Sequence, residues 1–243
     1  MGIKERQGRE REAVHRAILD AARELFVSEG YRNVSIRKFA ERIEYSPAAI
    51  YSYFPSKDDI FYALAEEGFR LIADPERVKA LEPLEPLDRL RAIFWGMYQF
   101  SHEQPEYFAL MFGDRTVPRI THELAHDRFS FAREMKARLV GYVQQTIDAG
   151  VLPPSVIPLV AFRLLTMALV GVAMMRLSDR LAPEENPDAL ARDTIEVILA
   201  GLRSGVALHA PTFYCPLDDV PADVVETAES MTSASQPAMR SDR

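Results

Sequence analysis

Apolar side chains recur at spacings of three and four through almost the whole sequence, and no stretch alternates with a period of two between turn dipeptides. This predicts an all-α protein. Val14, Ile18, Ala21 and Leu25 mark a first helix, stopped by Gly30 just past its end. Ser35 stands where it would cap a short second helix with Ile36, Phe39, Ala40 and Ile43 on its apolar side. Ser46 would cap a third, with Pro47 at its first position, where the missing N–H costs nothing, and this helix ends near Phe54 and Pro55. Ser56 and Asp59 have capping-box spacing, Asp58 and Asp59 suit the positive end of the helix dipole, and Ile60, Leu64 and Ile72 continue a fourth apolar stripe. Four helices therefore fill the chain to about residue 73.

Pro75, Pro83 and Pro86 punctuate a connection, after which Leu87, Leu90, Phe94, Met97 and Tyr98 form a helix of a larger body. Pro105 to Phe112 reads as a short helix. A long one runs from about Pro118 to Asp148, stopped by Gly150, Pro153 and Pro154. Val156 to Leu177 is apolar enough to suggest a membrane span, but Arg163 lies near its middle, Pro158 near its start, and no basic cluster flanks it. A helix buried on all sides is expected instead. The last helix takes Asn186 as N-cap and Pro187 as first residue and runs to about His209. The segment after it, with Pro211, Pro216 and Pro221 and no aromatic beyond Tyr214, reads as a disordered tail. The expected organisation is a head at residues 1–57, a helical body at 58–210 and a tail at 211–243.

Composition agrees with a folded chain: 243 residues with 48% apolar and 27% charged side chains exclude wholesale disorder. One cysteine, Cys215, excludes an intrachain disulfide, and no charged leader with an apolar core opens the sequence, so a cytoplasmic location is expected. The charge is uneven. Through Lys57 there are 11 basic and 8 acidic side chains; beyond it, 18 basic and 28 acidic, for a net charge of -7. A basic head on an acidic body suits a head that docks on phosphates while the body repels bulk polyanion.

Two short helices, Ser35 to Arg42 and Ser46 to Phe54, separated by a few residues, have the lengths and break of a helix-turn-helix. Ile50 and Phe54 can pack inward, which leaves Ser46, Ala48, Ala49, Tyr51, Ser52 and Tyr53 largely outward. Small residues there admit the helix to a major groove, and hydroxyls offer donors to phosphate. The alternative for Tyr51, beside Ile50, is a core aromatic.

The run Ser35-Ile36-Arg37-Lys38-Phe39-Ala40, followed by Tyr45-Ser46-Pro47-Ala48-Ala49-Ile50-Tyr51-Ser52-Tyr53-Phe54-Pro55-Ser56-Lys57, resembles the DNA-binding signature of TetR-type transcriptional regulators. The Ile50-Tyr51, Tyr53-Phe54 and Ser56-Lys57 pairs are its specific part, and Trp95-Gly96 to Pro105-Glu106-Tyr107 is reminiscent of one subgroup. The resemblance implies that Ser35, Arg37 and the face Ser46, Pro47, Ala48, Ala49, Tyr51, Ser52 and Tyr53 meet double-stranded DNA, with Lys57 on a phosphate. Arg37 is the best base reader, since an Arg can bond guanine bidentately. Where the family usually has Gly in the turn, this chain has Glu44. A left-handed residue there would cost roughly 1–2 kcal/mol, and its charge lies near DNA.

A lone helix-turn-helix reads few base pairs, so a homodimer with recognition helices about 34–36 Å apart on a palindromic operator is expected. The resemblance places the dimer contact on the last two main helices, through Leu164, Leu165, Ala168, Val172, Met175, Ile195 and Ile198; burial of the same stripe within one chain is the alternative. Phe94, Trp95, Met97, Tyr98, Tyr107, Met111, Phe112 and Phe129 would either line a pocket for a mostly apolar effector or simply form core. The resemblance further implies that effector and operator favour opposite head spacings, as in a repressor released by its ligand.

One competing motif is His122-Glu123-Leu124-Ala125-His126, an H-E-x-x-H match with zinc-binding spacing and Glu123 as a possible base, which would make the chain a zinc-dependent hydrolase. The extended form of that motif fails, because Phe129 and Ala132 occupy the Gly and His positions. No P-loop, dinucleotide fingerprint or nucleophile elbow is present. The expectation is therefore a non-enzyme with no cofactor, no metal and no membrane partner.

Overall fold

A computed structural model of the chain describes residues 2–113 and 130–206. Those residues are helical and contain no strand. The head comprises α1 (Ile3–Glu29), a 3₁₀ turn (Tyr31–Asn33), α2 (Ile36–Arg42), α3 (Pro47–Tyr51) and α4 (Lys57–Ile72). The caps fall where local chemistry puts them. The Lys38 N–H donates to Ser35 Oγ, the Ala49 N–H to Ser46 Oγ and the Asp59 N–H to Ser56 Oγ. Two bounds differ from expectation: α1 reaches back to Ile3, ahead of its apolar stripe, and α3 stops at Tyr51. Ile18, Ala22, Phe26, Phe39, Ala40, Ile50 and Phe54 form the head's core, with Phe26 edge-on to Phe39 at 5.5 Å.

The stretch expected to be a bare connection contains a helix, α5 (Pro75–Leu81). Asp74 caps it, accepting from the Glu76 and Arg77 N–H groups. None of its residues is buried, and its apolar side is only Val78 and Leu81, too short a run for periodicity to reveal. The body adds α6 (Pro86–Glu103), α7 (Pro105–Phe112), α8 (Ser130–Asp148), α9 (Pro158–Leu177) and α10 (Pro187–Arg203). Leu90, Phe94, Met97, Tyr98 and Phe100 of α6 are buried at its centre, with α7, α8, α9 and α10 packed around. The last helix ends at Arg203, short of His209.

Helix α9 has the length and apolarity to cross a membrane, but α6, α7, α8 and α10 all pack on it. It is not buried on all sides, however. Leu159, Ala161, Phe162, Leu165, Leu169, Val172 and Ala173 face inward, while Met167 is 58% and Met175 43% exposed. Head and body share one continuous core, and the seam between α1, α4 and α7 is charged as well as apolar. The Arg16 guanidinium bonds Asp20 and Glu67 at 2.6 Å each, and Arg23 reaches Glu106 at 3.1 Å. The bond from Arg16, helped by the fields of Arg16 and Arg23, holds the Asp20 carboxyl below its usual pKa against the opposing effect of burial. At Gly68 an added Cβ would meet the sulfur of the flexible Met111 side chain, which would have to turn aside to admit it.

Candidate nucleic-acid interface

Helix α3 has one fully buried residue, Ile50, which anchors it to the head's core. Ser46, Pro47, Ala48, Tyr51 and Ser52 are exposed, and Ala49 is half-buried. Tyr51, at 55% exposure, is not a core aromatic. Tyr53 lies past the end of α3, packs partly on the core, and has the Arg11 guanidinium 5.6 Å from its ring centre. Only part of it faces outward.

The cations of α2 divide sharply. Lys38 is paired with Glu29 and Arg42 with Glu24 at 2.7 Å, both on α1. Arg37 is exposed and, among the described residues, forms no ion pair or hydrogen bond. Its five donors are thus available to a base edge or phosphate. Lys57 departs from the expected phosphate contact: its ammonium donates to the Tyr31 and Val34 carbonyls at 2.8 and 3.0 Å and sits 4.0 Å from the Tyr31 ring centre. Burial there pushes its pKa below the usual lysine value, with Asp58 opposing. The side chain pins the 3₁₀ turn to the start of α4. Tyr45, exposed directly before the α3 cap, was not singled out from sequence, although an aromatic just ahead of a recognition-helix cap is a readable signal.

Between the two helices, Glu44 adopts φ 58°. The Tyr45 N–H donates to the Ala40 carbonyl at 2.9 Å and the Glu44 N–H to Glu41 at 3.4 Å, the paired bonds of a Schellman ending. A glutamate occupies the residue position that glycine suits best. Replacing Glu44 by Gly is expected to raise stability by about 1 kcal/mol and to tighten duplex binding most at low salt, where removal of the anion counts for more. Thermal unfolding and duplex titration at two salt concentrations check both; a drop in melting temperature would refute the strain argument.

In the body, a cavity of about 480 Å³ opens between α4, α5, α6, α8 and α9 and the end of α7. Of the residues expected around an effector, Phe94, Met97 and Phe112 line it; Trp95, Tyr98, Tyr107 and Met111 do not. Trp95 lies under the Arg192 guanidinium at 3.7 Å, and the Tyr98 hydroxyl donates to Asp188 at 2.9 Å. Burial, then that hydrogen bond, pushes the Tyr98 pKa up to about 12. Tyr107 and Met111 belong to the α4–α7 seam. Phe129 lies outside the described residues, as do His122, Glu123 and His126 and the segment 211–243. Among the described residues no group of three or more His, Cys, Asp or Glu is placed to hold a metal ion.

The expected dimer stripe also divides. Leu165, Val172 and Ile195 point into the core of their own chain, because apolar residues on the inner faces of α9 and α10 meet each other first. Leu164, Ala168 and Ile198 are half-buried, and Met175 is exposed. Met167 and Gly171 on α9, and Leu190 and Val197 on α10, join the uncovered set.

A family model described as bacterial regulatory proteins, tetR family, matches residues 18–64, and one described as tetracyclin repressor-like, C-terminal domain, matches residues 90–198. The HTH-type transcriptional repressor Rv1474c of Mycobacterium tuberculosis is 39% identical over 75 residues, 31% of this chain and 37% of that protein. The HTH-type transcriptional repressor NicS of Pseudomonas putida is 25% identical over 134 residues, 55% of this chain and 61% of that protein. The matches thus span less than two thirds of either relative. The transcriptional regulator FadR of Bacillus subtilis, solved in complex with stearoyl-CoA, shares the fold with a TM-score of 0.63 at 18% identity, covering 76% of this chain and 97% of that one. None of the three is described as a hydrolase. With one model on the helix-turn-helix and the other on the helical body, the chain belongs to the tetR family of bacterial regulatory proteins.

Proposed function

We propose that this chain is a cytoplasmic, ligand-responsive transcriptional repressor that binds a palindromic DNA operator as a homodimer and is not an enzyme. One observation carries the reading. An exposed face of α3, held by Ile50 alone, stands beside the single cation of α2 that α1 carboxylates leave unpaired. Ser35 and Ser46 accept the cap bonds and keep their O–H groups as donors to phosphate, while direct base readout falls to Arg37, Ala48 and Tyr51, with Pro47, Ala49, Ser52 and Tyr53 shaping the contact. The uncovered apolar residues of α9 and α10 supply the two-fold contact, which a head reading a few base pairs needs for specificity. The body cavity falls within the size range of small-molecule sites, and the fold it belongs to holds stearoyl-CoA in the Bacillus subtilis regulator.

Selection of bound duplexes from a random pool tests this directly. Inverted repeats are the expected outcome, whereas a pool unenriched at moderate salt would reduce the binding to charge attraction. On the recovered operator, Arg37→Ala should weaken binding by about 1–3 kcal/mol and relax preference at one position of each half-site. Equal loss on every sequence would make Arg37 a phosphate contact instead.

A further inference from the structure

The body is acidic, yet its cavity is not. Beyond Lys57 the sequence carries 18 basic and 28 acidic side chains. The cavity's lining nevertheless contains Arg77, Arg133, Lys136, Arg138 and Arg163 and, among the described residues, no carboxylate. The remaining lining is mostly aliphatic and aromatic, including Ile93, Phe94, Leu139 and Phe162.

Of the cavity's cations, Arg138 and Arg163 form no ion pair or hydrogen bond among the described residues; Arg138 is exposed, whereas Arg163 is half-buried. Arg163 is set in the apolar run of α9, and the Phe162 ring centre lies 5.8 Å from its guanidinium. Arg77, by contrast, is neutralised by Glu103. Thr166, three residues along the same helix face, also lines the cavity. The three described threonines all lie in helices, where the hydroxyl ordinarily bonds back to the preceding turn. Thr146 does so to Tyr142 at 2.8 Å and Thr194 to Leu190 at 2.7 Å. The Thr166 hydroxyl is buried with no partner. A buried unsatisfied donor beside an uncompensated cation, both bordering one cavity, calls for an acceptor of negative charge.

We propose that the cavity takes an amphiphilic anion. Its carboxylate or phosphate head is held by Arg163 and Thr166, and its alkyl or acyl chain lies along Ile93, Phe94, Leu139 and Phe162. This rests on the reading of the cavity as the effector site and adds the ligand's chemical class and the residues that recognise it.

Calorimetric titration of the full chain without DNA, below micelle-forming concentrations, tests it with four probes: dodecanoate, dodecanoyl-CoA, dodecanol and dodecyltrimethylammonium. At least one anion is expected to bind, with the cationic analogue roughly tenfold weaker or worse. Arg163→Met should weaken the anion roughly tenfold or more while leaving dodecanol unchanged, and Thr166→Val should cause a smaller loss in the same direction. Arg163-dependent binding of dodecanoate assigns the head to a free carboxylate; Arg163-dependent binding of dodecanoyl-CoA alone assigns it to phosphate. Equal binding of cation and anion, or anion binding indifferent to both substitutions, overturns the proposal. Duplex binding measured on the same samples separates the two readings. Arg163-dependent anion binding that leaves the duplex undisturbed keeps this site and removes its regulatory role; intact duplex binding with no anion bound removes the anion site and leaves the DNA-binding reading standing.

Discussion

Paired substitution of Met167→Glu and Val197→Glu should yield a folded monomer whose operator affinity is lower by about two orders of magnitude or more. Val197 is 70% exposed and Met167 58%, the barest large apolar side chains among the described residues. Neither contributes to the core of its own chain, so helicity and melting temperature measured on the isolated monomer should hardly change. Across a two-fold contact each substitution enters twice, and a carboxylate buried without a partner costs about 2–5 kcal/mol. Two heads bound as a unit would then become two independent heads, and the second half-site would lose its advantage of proximity. Sedimentation equilibrium reads the assembly and duplex titration the affinity. A dimer that survives the double substitution would place the contact elsewhere.

The second large effect concerns Ile50. It is fully buried and is the only buried residue of the five in α3. Truncation to Ala should destabilise the head by about 2–5 kcal/mol. A five-residue helix cannot persist without its tertiary anchor, because helix nucleation is unfavourable at that length. Duplex binding should vanish even where the rest of the chain stays folded, and the α9–α10 contact, remote in sequence and built from other residues, should keep its dimer. Circular dichroism on heating, with duplex titration and sedimentation on the same variant, separates these outcomes. An unchanged melting temperature would mean that α3 is held by something other than Ile50.

These two substitutions also mark how far the linear sequence could be read. Ile50 was legible as an inward residue because the caps at Ser35, Ser46 and Ser56 and the proline at 47 are local devices that fix where each head helix starts. Once the starts are known, the side chains on the inner face follow from the helical period. The outer residues of α9 were not legible in the same way. Leu164 and Leu165, or Val172 and Met175, are equivalent by composition, and a helix apolar all round offers no stripe to distinguish inside from outside. The structure separates them because α6, α8 and α10 cover one side of α9 and leave Met167, Gly171 and Met175 bare.

Aromatic and charged side chains were harder still. Trp95, Tyr98, Tyr107 and Met111 look as suited to an effector pocket as Phe94. Yet Trp95 and Tyr98 engage α10 through Arg192 and Asp188, while Tyr107 and Met111 join the seam with the head. Lys57 likewise has the residue type of a phosphate contact, but the nearby carbonyls of Tyr31 and Val34 claim its ammonium. Glu44 was recognisable as a departure in the turn, and its left-handed backbone follows from the two bonds that close α2.

The order of amino acids alone thus determined the helical class, the helix-turn-helix with its caps, and the basic head on an acidic body, all set by forces acting within a few residues or summed without regard to geometry. Tertiary packing alone decided which cation of α2 stays unpaired, which side of α9 is uncovered, and that basic groups gather around a cavity in an acidic body. Those outcomes depend on contacts between residues far apart in the chain, and whichever partner comes within bonding distance first removes a side chain from the set left to act on anything else.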